Sequence, residues 1–115
     1  MSQREGWDRL KSEWPDGRIK FELTRRLLAL RQKWPAVFLK GAYRPIEVSG
    51  EHAQHVIAFA RTHRRKTIVV AMLRHFAPLT NGGREWPSAV QATLDLSVHA
   101  RRTFRNVLTL SLIHI

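Results

Sequence analysis

The hydrophobic pattern near the N-terminus predicts one long amphipathic helix. Apolar side chains recur at steps of three and four residues over residues 17–34, which places them along one side of a helix. Asp16 is suited to cap the start of this helix, and Pro35 forces it to end. The expected buried face consists of Ile19, Leu23, Leu27, Leu30 and Trp34, with Leu28 beside them.

A shorter helix is predicted before the long one, because Trp7, Leu10 and Trp14 stand at helical steps. The sequence after Pro35 favours strands and turns instead. Pro45 assigns the first strand to a sheet edge, and the nearly continuous apolar character of residues 67–73 predicts a central strand. Residues 36–39 are interpreted as a short apolar link. The predicted strands span residues 43–48, 55–60, 67–73, 89–98 and 103–109.

This order of elements predicts an α+β fold. A helix or helix pair is followed by an antiparallel β-sheet or sandwich of about five strands. With 115 residues, of which 43% are hydrophobic, the chain is long enough for one small domain with a core. It contains no cysteine and no run of about 18 apolar residues, so we expect a cytoplasmic protein without disulfides or a membrane span.

The formal net charge of +11 raises the possibility of nucleic-acid binding. The arginines are scattered along the sequence, however, and the one dense cluster, residues 63–66, falls where a hairpin tip is expected. A solvated basic surface is therefore the favoured interpretation. We predict no specific nucleic-acid partner and no membrane partner.

Candidate chemistry is sparse. The carboxylates show no pairing suited to glycoside hydrolysis, and no serine-nucleophile elbow or phosphate-binding loop is present. His52 and His55 are three residues apart, but a strand at this position would point them to opposite faces. We predict no metal site and no cofactor. Trp34 is assigned to the core, because it continues the apolar face of the long helix.

Several blocks of the sequence resemble the C-terminal portion of maltooligosyltrehalose synthase, a member of the alpha-amylase family. The first block comprises WPDGRIK at residues 14–20, TRRLLALR at 24–31 and PAVFLKGAYRPI at 35–46. Two further blocks are HVIAFAR at residues 55–61 and RTFRNVLT at 102–109. The similarity extends over about residues 7–109, nearly the whole chain.

The resemblance implies a place for this chain in a trehalose biosynthesis enzyme. Residues 17–34 would belong to the end of a (β/α)₈ barrel, and residues 42–109 to the all-β domain that follows it. The family enzyme is an isomerase, which converts the reducing-end glucosidic bond of a maltooligosaccharide into a trehalose linkage by intramolecular transglucosylation. Its aspartate nucleophile and glutamate acid/base lie on barrel strands, so this chain alone is predicted to be inactive, with no catalytic residue of its own.

The resemblance also implies partners and substrate-proximal candidates. The partners would be the catalytic barrel of the same polypeptide and, in the full-length enzyme, the maltooligosaccharide substrate. Asp16, Arg18 and Lys20 are the motif positions polar enough to lie near that substrate. The competing interpretation makes Asp16 a helix cap and the other two surface charges.

The predicted domain boundaries follow from the same resemblance. Residues 1–36 would be the helical remnant of the barrel end, and residues 37–109 the C-terminal all-β domain. Residues 110–115 read LSLIHI, which looks like the translation of a transposase adapter used in preparing DNA libraries, so we interpret this segment as non-native. Met1 would then be an internal methionine of a longer protein.

Two other functions stay open from the residues alone. The chain could be a free-standing carbohydrate-binding β-module, in which Trp86 or Tyr43 stacks on sugar rings. It could also be a small basic nucleic-acid-binding protein, which the net charge suggests.

Overall fold

The computed structural model of the protein describes residues 3–75, 77–85, 90–99, 103–108 and 112–114. Helices come first and antiparallel strands follow, as predicted. The helices are α1 (Gln3–Ser12), α2 (Arg18–Lys33) and α3 (Pro35–Lys40). The strands are β1 (Ala42–Pro45), β2 (Val48–Ser49), β3 (Val56–His63), β4 (Lys66–Leu73), β5 (Thr93–Leu94), β6 (Thr103–Arg105) and β7 (Leu112–His114).

The chain divides into two compact units. The first, which we call the helical unit, comprises Met1–Pro35 and His99–Ile115. The second, the sheet unit, comprises Ala36–Val98. Of the helices described, none is both long enough and apolar enough to span a bilayer.

The core of the helical unit forms where α1 packs against α2. Trp7 of α1 and Ile19 of α2 are both buried. The guanidinium of Arg26 lies over the Trp7 ring, with its central carbon 5.3 Å from the ring centroid. A guanidinium in this position is attracted by the negative face of the aromatic ring.

Arg26 joins three parts of the helical unit. Its Nε donates to Glu22 Oε1 at 2.8 Å, one helical turn earlier, and its Nη1 donates to the backbone carbonyl of Leu108. The Arg26 side chain is only 13% exposed. A charge withdrawn this far from water needs such partners to offset its lost hydration.

Glu22 is the acceptor that makes this arrangement stable. Hydrogen bonds from Arg25 and then Arg26 lower the pKa of Glu22 from 4.5 to about 2. Since the pKa is lower in the folded protein, the unfolded chain binds more protons between these two values. The contribution of Glu22 to stability is therefore complete above its unfolded pKa and is lost as the pH falls towards about 2.

The burial of α2 corrects the predicted apolar face. Ile19 is buried and Leu23 and Leu30 are half-buried, as expected, but Leu27 is 45% exposed and Leu28 is 56% exposed. Arg26, which stands seven residues after Ile19, lies on the protected side in place of Leu27. A step of three or four residues keeps a side chain on the same face, so both positions fit the helical period.

The sheet unit is built on a long hairpin. β3 and β4 pair antiparallel from Val56 opposite Leu73 to His63 opposite Lys66, which confirms the predicted hairpin. Arg64 and Arg65 form its two-residue turn, and Arg64 has a positive φ of 56°. Two-residue hairpin turns need such φ values, since they match the twist of the flanking strands.

The strand order of this sheet is β1-β3-β4, so β3 is the central strand and the prediction for residues 67–73 was wrong. Ala58 and Ala60 of β3 are buried, at 5% and 1% exposure. Their small side chains let other parts of the unit approach the middle of the sheet closely. β4 lies at an edge, and its apolar residues are half-buried or exposed.

Two segments differ from their predicted structure. Residues 36–39 form most of helix α3 and are not an extended link, because Pro35 supplies a favourable first helical position. Within residues 90–98, only β5 is a strand, and it pairs with β2. Asp95 ends the extended segment, because its Oδ1 accepts the Ser97 N–H at 3.0 Å and starts a short 3₁₀ turn.

The close approach of two chain segments requires a glycine at position 50. Gly50 has a φ of +110°, and a Cβ there would lie 3.2 Å from the Ala92 Cα and 3.2 Å from the Gln91 carbonyl oxygen.

In the helical unit, β6 pairs antiparallel with β7, so residues 112–114 of the segment interpreted as non-native are paired with β6.

Replacement of Arg26 is predicted to destabilise the protein far more than replacement of Arg25. Both arginines bind Glu22, but the Arg25 side chain is 58% exposed. Arg26→Met keeps the side chain's length and removes the contacts to Trp7, Glu22 and Leu108, at a cost of about 2 kcal/mol. Arg25→Met removes a solvent-exposed ion pair and leaves stability nearly unchanged. Urea unfolding followed by tryptophan fluorescence measures both, and equal losses would contradict the structure.

Candidate functional site

The substrate-proximal candidates lie at the start of α2. A 3₁₀ turn, Trp14–Asp16, comes before the helix and is joined to it by Gly17, whose φ is +84°. A Cβ on Gly17 would meet no atom within 4 Å, so the backbone conformation and not space calls for glycine here. Gly17 occupies the N-cap position of α2, and the turn brings the carboxylate of Asp16 to the N–H of Arg18, the first residue of the helix.

Asp16 and Arg18 bind each other at this position. The backbone N–H of Arg18 donates to Asp16 Oδ1 at 2.9 Å, and its Nε donates to Asp16 Oδ2 at 2.8 Å. Arg18 Nη2 donates to Glu13 Oε2, and Arg9 Nε lies 3.6 Å from Glu13 Oε1. The result is a chain of alternating charges on the surface of the helical unit.

The electrostatics of this cluster keep Asp16 ionised. The pKa of Asp16 is lowered, first by the hydrogen bond from the Arg18 backbone N–H and then by the Arg18 side chain. The pKa of Arg18 is raised, mainly by the Asp16 carboxylate. Asp16 is therefore a carboxylate at neutral pH and is unsuited to donate a proton as a general acid. Both side chains are solvent-exposed, and their mutual binding fits a role in starting the helix.

Lys20, the third candidate, is not brought to this cluster. It lies two residues after Arg18 on α2, which separates the two side chains by about 200° around the helix axis. Lys20 is exposed, and its backbone carbonyl accepts a hydrogen bond from the Thr24 hydroxyl at 2.8 Å.

The cluster instead includes Glu13, which was not among the candidates predicted from the sequence. The signal available was the spacing of four residues from Arg9 to Glu13.

Of the three aromatic candidates, Tyr43 and Trp34 lie among the described residues. Tyr43 lies on β1 and is 59% exposed, with its ring centroid 5.2 Å from that of Phe59. Trp86 lies outside the described residues. Trp34 is half-buried, and the Lys33 ammonium lies 5.2 Å from its ring centroid. Tyr43 is thus an exposed ring with a second ring beside it on the same face of the sheet.

His52 and His55 lie closer together than the sequence predicted. His52 comes directly before a 3₁₀ turn, Ala53–His55, and His55 is its last residue. Their ring centroids are 6.3 Å apart. Residues three apart lie above one another in a 3₁₀ helix, whereas in a strand they point apart. The His52 Nδ1 accepts the Gln91 N–H at 2.8 Å, so this atom serves the fold. In the part of the chain that the structure describes, no group of three or more potential ligands is placed to hold a metal ion.

Comparison with known proteins adds no relative to this picture. A scan against protein-family models found no match to the chain, and searches of curated proteins and of solved structures found none either.

We predict that Asp16 has a capping role from the position before the N-cap residue Gly17, because its carboxylate accepts the N–H of Arg18. Asp16→Asn keeps an oxygen that accepts the Arg18 N–H, whereas Asp16→Ala removes it. The alanine variant is expected to speed hydrogen exchange of the Arg18 amide several-fold, and the asparagine variant to leave it close to the original rate. NMR-detected exchange measures this effect. An alanine variant that exchanges as slowly as the unmodified protein would rule out the capping role.

Proposed function

We propose that this chain is the non-catalytic C-terminal part of a maltooligosyltrehalose synthase that works in the cytoplasm. The observation that carries the proposal is the ordered set of sequence blocks that resembles this family, from residues 14–20 to residues 102–109. These blocks coincide with elements of the fold: the first covers most of α2 and all of α3 and β1, and the second covers most of β3. The enzyme would isomerise the reducing-end bond of maltooligosaccharides to a trehalose linkage.

The surface of α2 supports a missing partner domain. Phe21 is 72% exposed and Leu28 is 56% exposed. They stand seven residues apart, or about 10 Å along the helix, so they lie on one face, away from the face that carries Ile19 and Arg26. Exposed large apolar side chains grouped on one helix face are typical of a surface that packs against another domain. We propose that this face packs against the barrel.

Three carboxylates of the helical unit are bound by arginines. Glu13 and Asp16 bind Arg18, and Glu22 binds Arg25 and Arg26. A glycosidase-type pair has two carboxyl groups that face each other across the scissile bond. In the proposal, the nucleophile and the acid/base come from the barrel. The strands after α3 would belong to a sandwich of about five strands in the complete enzyme.

A chimeric enzyme tests this proposal. Residues 7–109 of this chain replace the corresponding C-terminal segment of an active maltooligosyltrehalose synthase, and the loss of reducing ends from maltoheptaose is measured. The chimera is expected to regain activity that the truncated enzyme lacks, because α2 again covers the barrel wall. A folded chimera that is no more active than the truncated enzyme would contradict the proposal.

Substitutions at the proposed contact face supply the control. Phe21→Gln with Leu28→Gln is expected to reduce the activity of the chimera strongly, since two apolar contacts with the barrel become polar. Phe21→Leu with Leu28→Met keeps the face apolar and is expected to retain activity. Circular dichroism of both variants checks that α2 is still formed.

A further inference from the structure

The two faces of the sheet of β1, β3 and β4 differ in the size of their side chains. Directly paired residues of antiparallel strands share a face, so the register assigns each side chain. Ala58 and Ala60 are buried on one face, although each has an exposed neighbour on an edge strand. The other face, which we call the open face, carries larger side chains, and of these Tyr43, Ile57 and Met72 are exposed.

Charge on this sheet is of one sign. No aspartate or glutamate occurs anywhere in residues 52–84, and none occurs in β1. Strand pairing adds Arg61 to the dense cluster at residues 63–66, so the basic residues of the hairpin lie together at one end of the sheet. This group, which we call the basic end, consists of Arg61, His63, Arg64, Arg65 and Lys66.

The basic end adjoins the exposed ring of Tyr43. Tyr43 pairs directly with Arg61 across β1 and β3, so their side chains stand side by side on the open face. Arg61 Nη2 donates to the Gly41 carbonyl at 3.0 Å, which holds the guanidinium beside the tyrosine. His63 and Lys66 form the next row on the same face, about 7 Å closer to the hairpin tip. Arg64 and Arg65 are exposed at the hairpin tip.

We propose that this open face binds single-stranded nucleic acid without regard to sequence. The cations of the basic end contact successive phosphates, and one unpaired base stacks on Tyr43, whose ring lies beside that of Phe59. An aromatic platform beside a carboxylate-free cationic track is the combination that such binding uses. The inference goes beyond the proposed function and does not depend on it.

The positive charge of the basic end favours a single-stranded nucleic acid over a sugar as the partner. A maltooligosaccharide is neutral, so it would use the Tyr43 ring but gain nothing from the phosphate-binding capacity of the four arginine and lysine side chains of the basic end. Duplex DNA would use the cations but keeps its bases stacked inside, away from Tyr43. Only a single strand engages both the ring and the basic end.

Fluorescence anisotropy with a labelled oligothymidylate tests the proposal on the full chain. Affinity is measured between about 50 and 200 mM salt for the unmodified protein and for a triple variant, Arg64→Asn, Arg65→Gln and Lys66→Gln. Each lost phosphate contact is expected to reduce the slope of log K against log salt by about 0.7, so the triple variant loses about 2. Asparagine is chosen at position 64 because it tolerates the positive φ there.

A charge-matched variant separates this site from general attraction. Lys20→Gln, Arg31→Gln and Lys33→Gln removes the same charge from exposed positions of α2, in the other unit. Its salt slope is expected to stay close to that of the unmodified protein. If the two triple variants lose affinity and slope equally, only net charge is acting, and the proposal is overturned.

Tyr43→Ala tests the stacking contact. It is expected to weaken binding to the single strand about tenfold and to leave binding to the same oligonucleotide in a duplex unchanged. An unchanged single-strand affinity would overturn the proposal, as would competition by maltoheptaose, which would assign the ring to a sugar. Far-UV circular dichroism confirms that each variant retains the sheet.

Discussion

Arg26 is the residue on which the helical unit depends. It lies on the protected side of α2, where it contacts the Trp7 ring of α1, the carboxylate of Glu22 and the carbonyl of Leu108. These contacts tie α1, α2 and the segment after β6 together through one side chain. The free-energy cost of removing the guanidinium from water is offset only if all its partners are in place. The fold of the helical unit therefore depends on the positions of these polar groups as well as on the burial of apolar area.

The sheet unit follows a different rule. Its central strand buries small side chains, Ala58 and Ala60, on one face and carries larger ones on the other, where Ile57 is exposed and Phe59 is half-buried. In an ordinary two-layer domain the larger side chains would face the core. The arrangement leaves Tyr43 and Met72 exposed on this second face, and of the two only Tyr43 lies beside the basic end. The molecule thus presents a specialised surface on each unit: an apolar helix face and a basic, aromatic sheet face.

The sequence predicted the elements that depend on local signals. The long helix, the short helix before it and the β3–β4 hairpin all follow from apolar periodicity, proline and turn positions. It did not predict that Arg26 lies on the protected side of α2 and Leu27 on the exposed side. Both positions fit the helical period, and apolarity favours leucine for the buried one. It also predicted β4 as the central strand from its apolar run. Strand order depends on pairing between segments that are distant in the chain, such as β1 and β3, and an apolar run does not show this pairing. Alternation in residues 89–98 favoured a long strand, whereas the Asp95 turn limits it to β5.

Of the candidate site, the sequence identified Asp16 and Arg18 but could not show that they bind each other. That contact depends on the positive φ of Gly17 and on the 3₁₀ turn before it, which set the direction of the Asp16 carboxylate. The proximity of His52 and His55 likewise depends on a 3₁₀ turn where a strand was expected. Backbone turns decided these details, and their geometry is only weakly encoded by residue type.

In the proposed function, α2 covers a catalytic barrel in the same polypeptide. Sequencing the genomic DNA on the 5′ side of the Met1 codon tests this proposal. We expect an uninterrupted reading frame, in phase with Met1, that encodes a (β/α)₈ barrel with a catalytic aspartate and glutamate. A stop codon or an unrelated gene immediately before Met1 would contradict it.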